Sequence, residues 1–369
     1  MTQRSSRPSP QPPRRRAAAV PAKSTAPSDP PFVPPYAPGW FDRVMALIDR
    51  LPGGYGVWYG ASAFLAFALT ALSRLAAGMP PFGGNLTGLA FSSIMLAFPA
   101  FLMHSLNRTA AGAFSDFAPA LRTPQEAPLL RYRLTTTPAI PSLLFSLGGA
   151  AFAVFLLLGS PETRSFSDAV YGPAFAAFTF GALAYFINSH FAYRLIYQLA
   201  QVSRIYAEHA RVRLGHLGPL FALSGLTSRA AIAAILVVTG YMIGFAQVGD
   251  PTLALAILLP NPALAAAAFV LPLVGAHRLL EAERDRARRE AALSMETALA
   301  ELHSQIERSD YRAAPAVKDA ITALDIELTR LAHAPTWPWN PGTPRGVAAA
   351  VFLPVFIWLV QYGLQRLLG

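Results

Sequence analysis

The chain has no cysteine in its 369 residues. Disulfides, thiolate metal sites and thiol catalysis are therefore excluded. Lysine is nearly missing as well: Lys23 and Lys318 are the two present, so arginine carries almost all the positive charge. Charged residues of both signs make up only 14% of the chain, and the interiors of its long apolar runs hold none. Ionisable side chains inside a membrane mark proton relays, ion paths and voltage sensors, so this scarcity weighs against an ion-coupled pump. A pore lined by backbone or by Ser and Thr stays compatible with it. Enzyme signatures are missing too. There is no phosphate loop, no GxGxxG after a strand, no nucleophile elbow, no HExxH and no Glu-x-x-His pair. The expectation is a protein that is not an enzyme and has no resident metal or cofactor.

What is abundant is apolar sequence, 53% of the chain, gathered into runs. Crossing a hydrocarbon core takes about 20 such residues. Seven runs are read as spans: 57–75, 86–104, 140–158, 170–189, 230–247, 262–277 and 347–364. The basic residues alternate across them. Eight lie in residues 1–50, four in 105–139, five in 191–229 and ten in 278–346, with Arg74, Arg164 and Arg366 left over. Basic loops stay cytoplasmic, so the N-terminus is expected inside and the protein in the cell (cytoplasmic) membrane. The net charge of +10 sits beside spans, which makes anionic lipid headgroups the expected partner rather than nucleic acid.

Residues 1–38, rich in proline and arginine, read as a disordered, lipid-facing tail. Residues 40–50 read as an interfacial amphipathic turn. The basic stretch 105–139 contains AFSDFAPAL and LLRYRL, expected as short segments on the membrane surface. Span 4 is expected to run on past the bilayer, because Phe191, Leu195, Leu199, Val202, Ile205 and His209 recur at helical spacing. Arg194, Arg204 and Arg211 fall on the other side of that helix. Pro219 suits the first turn of a short new helix before span 5. Asp250-Pro251 and Asn261-Pro262 read as successive helix starts, predicting a short outer helix over 252–259. Pro272 is expected to kink span 6.

The fold class expected is all-α: a polytopic bundle with a cytoplasmic antiparallel coiled-coil hairpin. Its parts are the tail 1–38, a six-span domain 39–277, the hairpin 278–334, a return segment 335–346 and a final span within 347–369. A re-entrant final helix is the alternative. In the hairpin, Ala292, Met295, Leu299, Leu302 and Ile306 alternate three- and four-residue steps. Val317, Ile321, Leu324, Leu328 and Leu331 do the same after the turn SDYRAAP. Such stripes are coiled-coil seams. A two-helix hairpin buries little, so residues 278–334 are expected to meet a second copy or a protein partner. The Pro-rich return carries Trp337 and Trp339, read as anchors at the headgroup level or as a docking surface for another helix.

Three histidines, His104, His190 and His277, end spans 2, 4 and 6 on the inner side. Imidazoles at one depth are candidate cofactor ligands or pH sensors. Against that, amphipathic histidine suits interfaces and helix C-termini, and Arg108, Arg194 and Arg278 nearby discourage a cation. GxxxG at 56–60 and 240–244, and the Ala265–Ala268 face, are read as close helix packing. A span ending in His, a basic inner segment and a proline (Pro138, Pro219, Pro344) recur, but the unequal lengths speak against true repeats. The functions left open are an assembly scaffold working through the hairpin, a channel or exporter component gated by it, and a His-ligated cofactor protein.

Overall fold

A computed structural model describes residues 32–81, 86–159, 161, 164–165, 168, 174–246, 260–309, 312, 314–339 and 342–368. The expected outer helix 252–259 and most of the tail lie outside the described residues. Among the described residues every regular element is helical: α1 (Trp40–Ile48), α2 (Tyr55–Ala76), α3 (Leu86–Phe117), α4 (Ala127–Thr135), α5 (Ala139–Gly159), α6 (Ala174–Arg204), α7 (Gly218–Ala246), α8 (Pro260–Val270), α9 (Val274–Glu307), α10 (Ala314–Ala332) and α11 (Gly342–Leu368). Two isolated antiparallel bridges, Pro38 to Pro138 and Leu121 to Ala210, join loops.

Five helical stretches are long and apolar enough to cross a membrane: Tyr55–Ala76, Leu89–Ala120, Ala139–Gly159, Gly218–Tyr241 and Ala263–Glu307. They mark a helical membrane protein. Of the other two expected spans, the fourth overlaps α6 and the seventh lies within α11. α3 and α7 form the centre, where Met103, Ala110, Leu223, Leu226 and Ala231 are fully buried. α2 and α5 lie outside them and expose large apolar side chains such as Phe64, Leu72, Phe155 and Leu158. In water those faces would be unfavourable; in lipid they match the medium.

Packing glycines sit where backbones meet. A Cβ on Gly240 would strike Met95 of α3, and one on Gly149 would lie 2.8 Å from the Tyr185 carbonyl of α6. Gly60 faces open space instead, so the GxxxG at 56–60 makes no tight crossing among the described residues. α5 and α6 run antiparallel, as Phe145 meets Tyr193 and Phe152 meets Tyr185.

Several local expectations are corrected. AFSDFAPAL is not a separate short segment: α3 continues into it as far as Phe117, because Ala110, Phe114 and Phe117 recur at helical spacing and are buried. Phe117 meets Tyr206 edge-on at 5.7 Å. Pro219 opens one continuous helix, α7, rather than a short one. The hydroxyls of Ser224 and Thr227 donate back to Phe221 and Ser224 carbonyls at 2.7 and 2.9 Å, inside the helix, so they do not break it. Residues 34–38 are not the end of a loose tail. The Tyr36 hydroxyl donates to the Thr136 carbonyl at 2.8 Å, and Gly39 N–H donates to the Thr137 carbonyl at 2.9 Å. The helical spacing beyond residue 190 is matched, since α6 runs on to Arg204 with Leu199 and Val202 buried and Ile205 buried just after it; Pro272 sits in a single 3₁₀ turn between α8 and α9.

Candidate functional site

Two regions concentrate unusual chemistry: a polar layer where α1 meets α3, α4, α5 and α6, and the projecting pair α9–α10. In the first, Phe41 and Met45 are four residues apart on α1 and each is only 2% exposed. That apolar face draws α1 into the bundle, so residues 40–50 are docked rather than lying loosely at an interface. Docking carries Asp42 inward to Arg194 of α6, which approaches to 2.5 Å, with side chains 8% and 3% exposed. The apolar spacing of α6 puts Arg194 on the open side of its helix, and the structure corrects this. His190, Arg194 and Gln198, each four residues apart, are all buried, so this stripe faces inward.

The charged pair has several partners, although Arg194 Nε, His190 Nε2 and Gln198 Oε1 are buried without a hydrogen bond among the described residues. Asp42 Oδ2 accepts from Gly39 N–H at 3.1 Å, and from Thr137 N–H and Oγ1–H, both at 2.9 Å. Asp42 therefore closes the N-terminus of its own helix through Gly39 N–H, where the backbone dipole favours a negative group, and ties in the segment that leads into α5 through Thr137. Arg194 Nη2 donates to Asn107 Oδ1 at 2.8 Å and to the Thr135 carbonyl at 2.9 Å. One guanidinium thus joins α1, α3, α4 and α6.

At the far end of α1, Asp49 Oδ1 lies 3.1 Å from His104 Nε2, whose ring stacks on Tyr55 at 4.5 Å. A carboxylate only accepts, so Nε2 donates. His104 Nδ1 lies 3.3 Å from the Tyr59 hydroxyl. His190 is held otherwise: Nδ1 is 3.3 Å from Ser146 Oγ, and Trp40 packs on the ring at 4.8 Å. His277 Nδ1–H donates to the Thr336 carbonyl at 2.9 Å, and its Nε2 lies 3.4 Å from a Glu281 carboxylate oxygen. Its ring stacks on Trp337 at 4.0 Å and 6°.

The structure therefore does not bring the three histidines together. Each grips a different segment: the α1–α2 linker, the start of α1, and the Trp-rich return. Among the described residues no group of three or more His, Asp or Glu side chains converges as a metal site would require. Trp337 and Trp339 likewise dock on protein. They stack on each other at 4.4 Å, and Trp339 stacks on Phe269 at 5.3 Å, giving a four-ring column with His277.

The second region is the pair α9–α10. On α10, Val317, Ile321, Leu324 and Leu328 are half-buried and Leu331 is buried, all on one stripe. On α9, Met295 and Leu302 are half-buried, but Leu299 is 40% and Ile306 50% exposed. Ala291 is buried and Ala298 half-buried in their place. The reason is that α9 is continuous with a helix whose inner face is set by Ala276 and Leu280. At 3.6 residues per turn, that face arrives at Ala291 and Ala298, one position before the expected seam. Small residues on the stripe leave an open groove of about 530 Å³ between the helices, lined by Thr297, Ala298, Glu301, Val317, Ala320 and Leu324. Leu293 at 64% and Ile326 at 48% add to the exposed apolar surface.

Sequence reasoning missed Asp42, Asp49, Asn107 and the role of Arg194. The signals present were the Phe41–Met45 spacing around Asp42 and the four-residue repeat of polar side chains on α6. With this geometry in view, comparison with known proteins adds no name: no family model, no curated protein and no solved structure matches the chain.

Proposed function

We propose that the protein is a membrane-embedded scaffold whose cytoplasmic helical hairpin, α9–α10, docks a helical partner or the hairpin of a second copy. In this reading about seven spans cross the cell membrane with the N-terminus inside, and basic inner loops lie against anionic headgroups. α9 and α10 pair as an antiparallel coiled coil with one side unfinished. One observation carries the reading: Leu299 and Ile306, seven residues apart on α9, are left exposed on one flank of the pair, while an open, largely apolar groove runs along the other. Apolar side chains at heptad spacing are what a further helix packs into, and a two-helix pair without one is marginal. The charged pair of the α1 layer, by contrast, has its main partners supplied by the same chain and offers little to a docking helix.

The test is a gentle-detergent purification of the full chain beside a Leu299→Glu/Ile306→Glu variant, reading complex mass and co-purifying proteins. A lost partner or a halved complex, with melting temperature unchanged, is the expected result. An identical complex in both preparations would sink the scaffold reading. A solute-selective leak in liposomes holding the pure chain would instead favour a gated conduit.

A further inference from the structure

The pair α5–α6 carries a second groove, of about 610 Å³, open to the side of the bundle. Pro141, Leu144, Phe145, Phe152, Ser189 and Tyr193 line it. Its width comes from Gly148, where an added Cβ would meet no atom within 4 Å. Its closeness to α6 comes from the backbone approach at Gly149. α5 is among the helices apolar enough to cross a membrane, so the groove faces hydrocarbon. Its polar groups are Ser189, level with Gly149, and Tyr193, level with Phe145 nearer the start of α5.

From Tyr193 a line of tyrosines leads toward positive charge. Tyr193 stacks on Tyr197 at 6.0 Å, the Tyr197 and Tyr36 hydroxyls are 2.8 Å apart, and Tyr36 packs on Tyr132 at 5.2 Å. The Tyr132 hydroxyl donates to the Tyr36 carbonyl at 2.7 Å, holding α4 against this edge. Tyrosine belts mark the headgroup level. Flanking Tyr132 on α4 are Arg131, exposed, and Arg133, half-exposed. Two acids of this region are engaged elsewhere: Asp42 on Arg194, and Glu126 on His209 at 2.7 Å.

We infer that this groove is a specific site for one anionic phospholipid of the inner leaflet. An acyl chain lies along Gly148 between α5 and α6, and the phosphate sits at the tyrosine line within reach of Arg131 and Arg133. Charge complementarity selects this occupant over a neutral lipid, since basic pockets beside spans recruit acidic headgroups. A second copy's helix would bring apolar surface for the groove but no anion for the arginines. The inference rests on the membrane topology proposed above, but not on the hairpin, so the two fail separately.

Native mass spectrometry of the full chain tests it, from micelles holding equal dioleoylphosphatidylglycerol and dioleoylphosphatidylcholine. One phosphatidylglycerol adduct is expected to survive activation that strips all other lipid. Gly148→Leu should abolish that adduct, with helicity and melting temperature checking that the chain still folds. Arg131→Gln/Arg133→Gln, at positions outside the core, should reduce the headgroup preference by about thirtyfold while a lipid of either kind still binds. Equal adducts of the two lipids on the unaltered chain overturn the proposal. So does an adduct that survives Gly148→Leu, or a preference untouched by the double arginine variant. A dimer mass lost with Gly148→Leu, without any lipid adduct, assigns the groove to a second copy and overturns it as well.

Discussion

Asp42 and Arg194 are charged yet almost wholly buried, while Leu299 and Ile306 are apolar yet 40% and 50% exposed. The two pairs invert the usual relation between polarity and position, and they do so for opposite reasons. In the α1 layer each buried charge has several partners supplied by the same chain. Ion pairs of this kind add little net stability over an apolar filling, but they punish any change to one partner. In the hairpin the apolar side chains are left half-open to their surroundings. The α1 layer is a finished joint; the hairpin is an open one.

Breaking the joint gives the largest expected effect. Asp42→Ala leaves Arg194 buried without its counter-charge and frees Gly39 and Thr137, a loss of about 3–5 kcal/mol. Thermal melting in detergent would show it as a large drop, with Asp42→Leu/Arg194→Met recovering most of the loss. A drop of less than about 1 kcal/mol for Asp42→Ala would mean that the layer is not a joint. Trp337→Ala comes next. It removes two ring stacks, with His277 and Trp339, each worth about 0.5–1.5 kcal/mol. Faster amide exchange in residues 333–339 and at the start of α11 is expected, and unchanged exchange there would refute the column as an anchor.

Tyr36 sharpens the comparison at high pH. Burial, with the Tyr197 hydroxyl beside it, pushes the Tyr36 hydroxyl well above its ordinary value of 10.0. A folded-state value above the unfolded one means stability is complete below about pH 10 and falls as pH rises beyond it. Tyr36→Phe should lower stability by about 1 kcal/mol at neutral pH and flatten the decline above about pH 10. An equally steep alkaline decline in the variant would assign that decline to other groups. The smallest effect on folding is expected for Leu299→Glu/Ile306→Glu, within about 0.5 kcal/mol. Its loss of stability by several kcal/mol would show that these side chains are already buried in the protein as isolated.

Much of the helical layout is legible in residue order alone. Leu199, Val202 and Ile205 repeat at helical spacing past the end of an apolar run, and α6 does extend there. Pro272 and the α10 stripe are equally local signals. The polar layer is not legible in this way, because Asp42 and Arg194 are 152 residues apart. Nothing near either residue says that the other is its partner. The α9 seam departs from its heptad reading by one position for a related reason. The pattern of residues 292–306 competes with a face already set at Leu280, and the continuous helix obeys the latter.

Residue order suffices for the alternation of apolar helices with basic segments, and for most helix starts and stops. These depend on local hydrophobic runs, prolines and charge, which act over a few turns. The docking of α1, the three separate contacts of the three histidines and the open face of the hairpin emerge only when the helices are assembled. Those outcomes depend on which distant surfaces meet, and a buried charge or an exposed leucine acquires its meaning only from what lies, or does not lie, across from it.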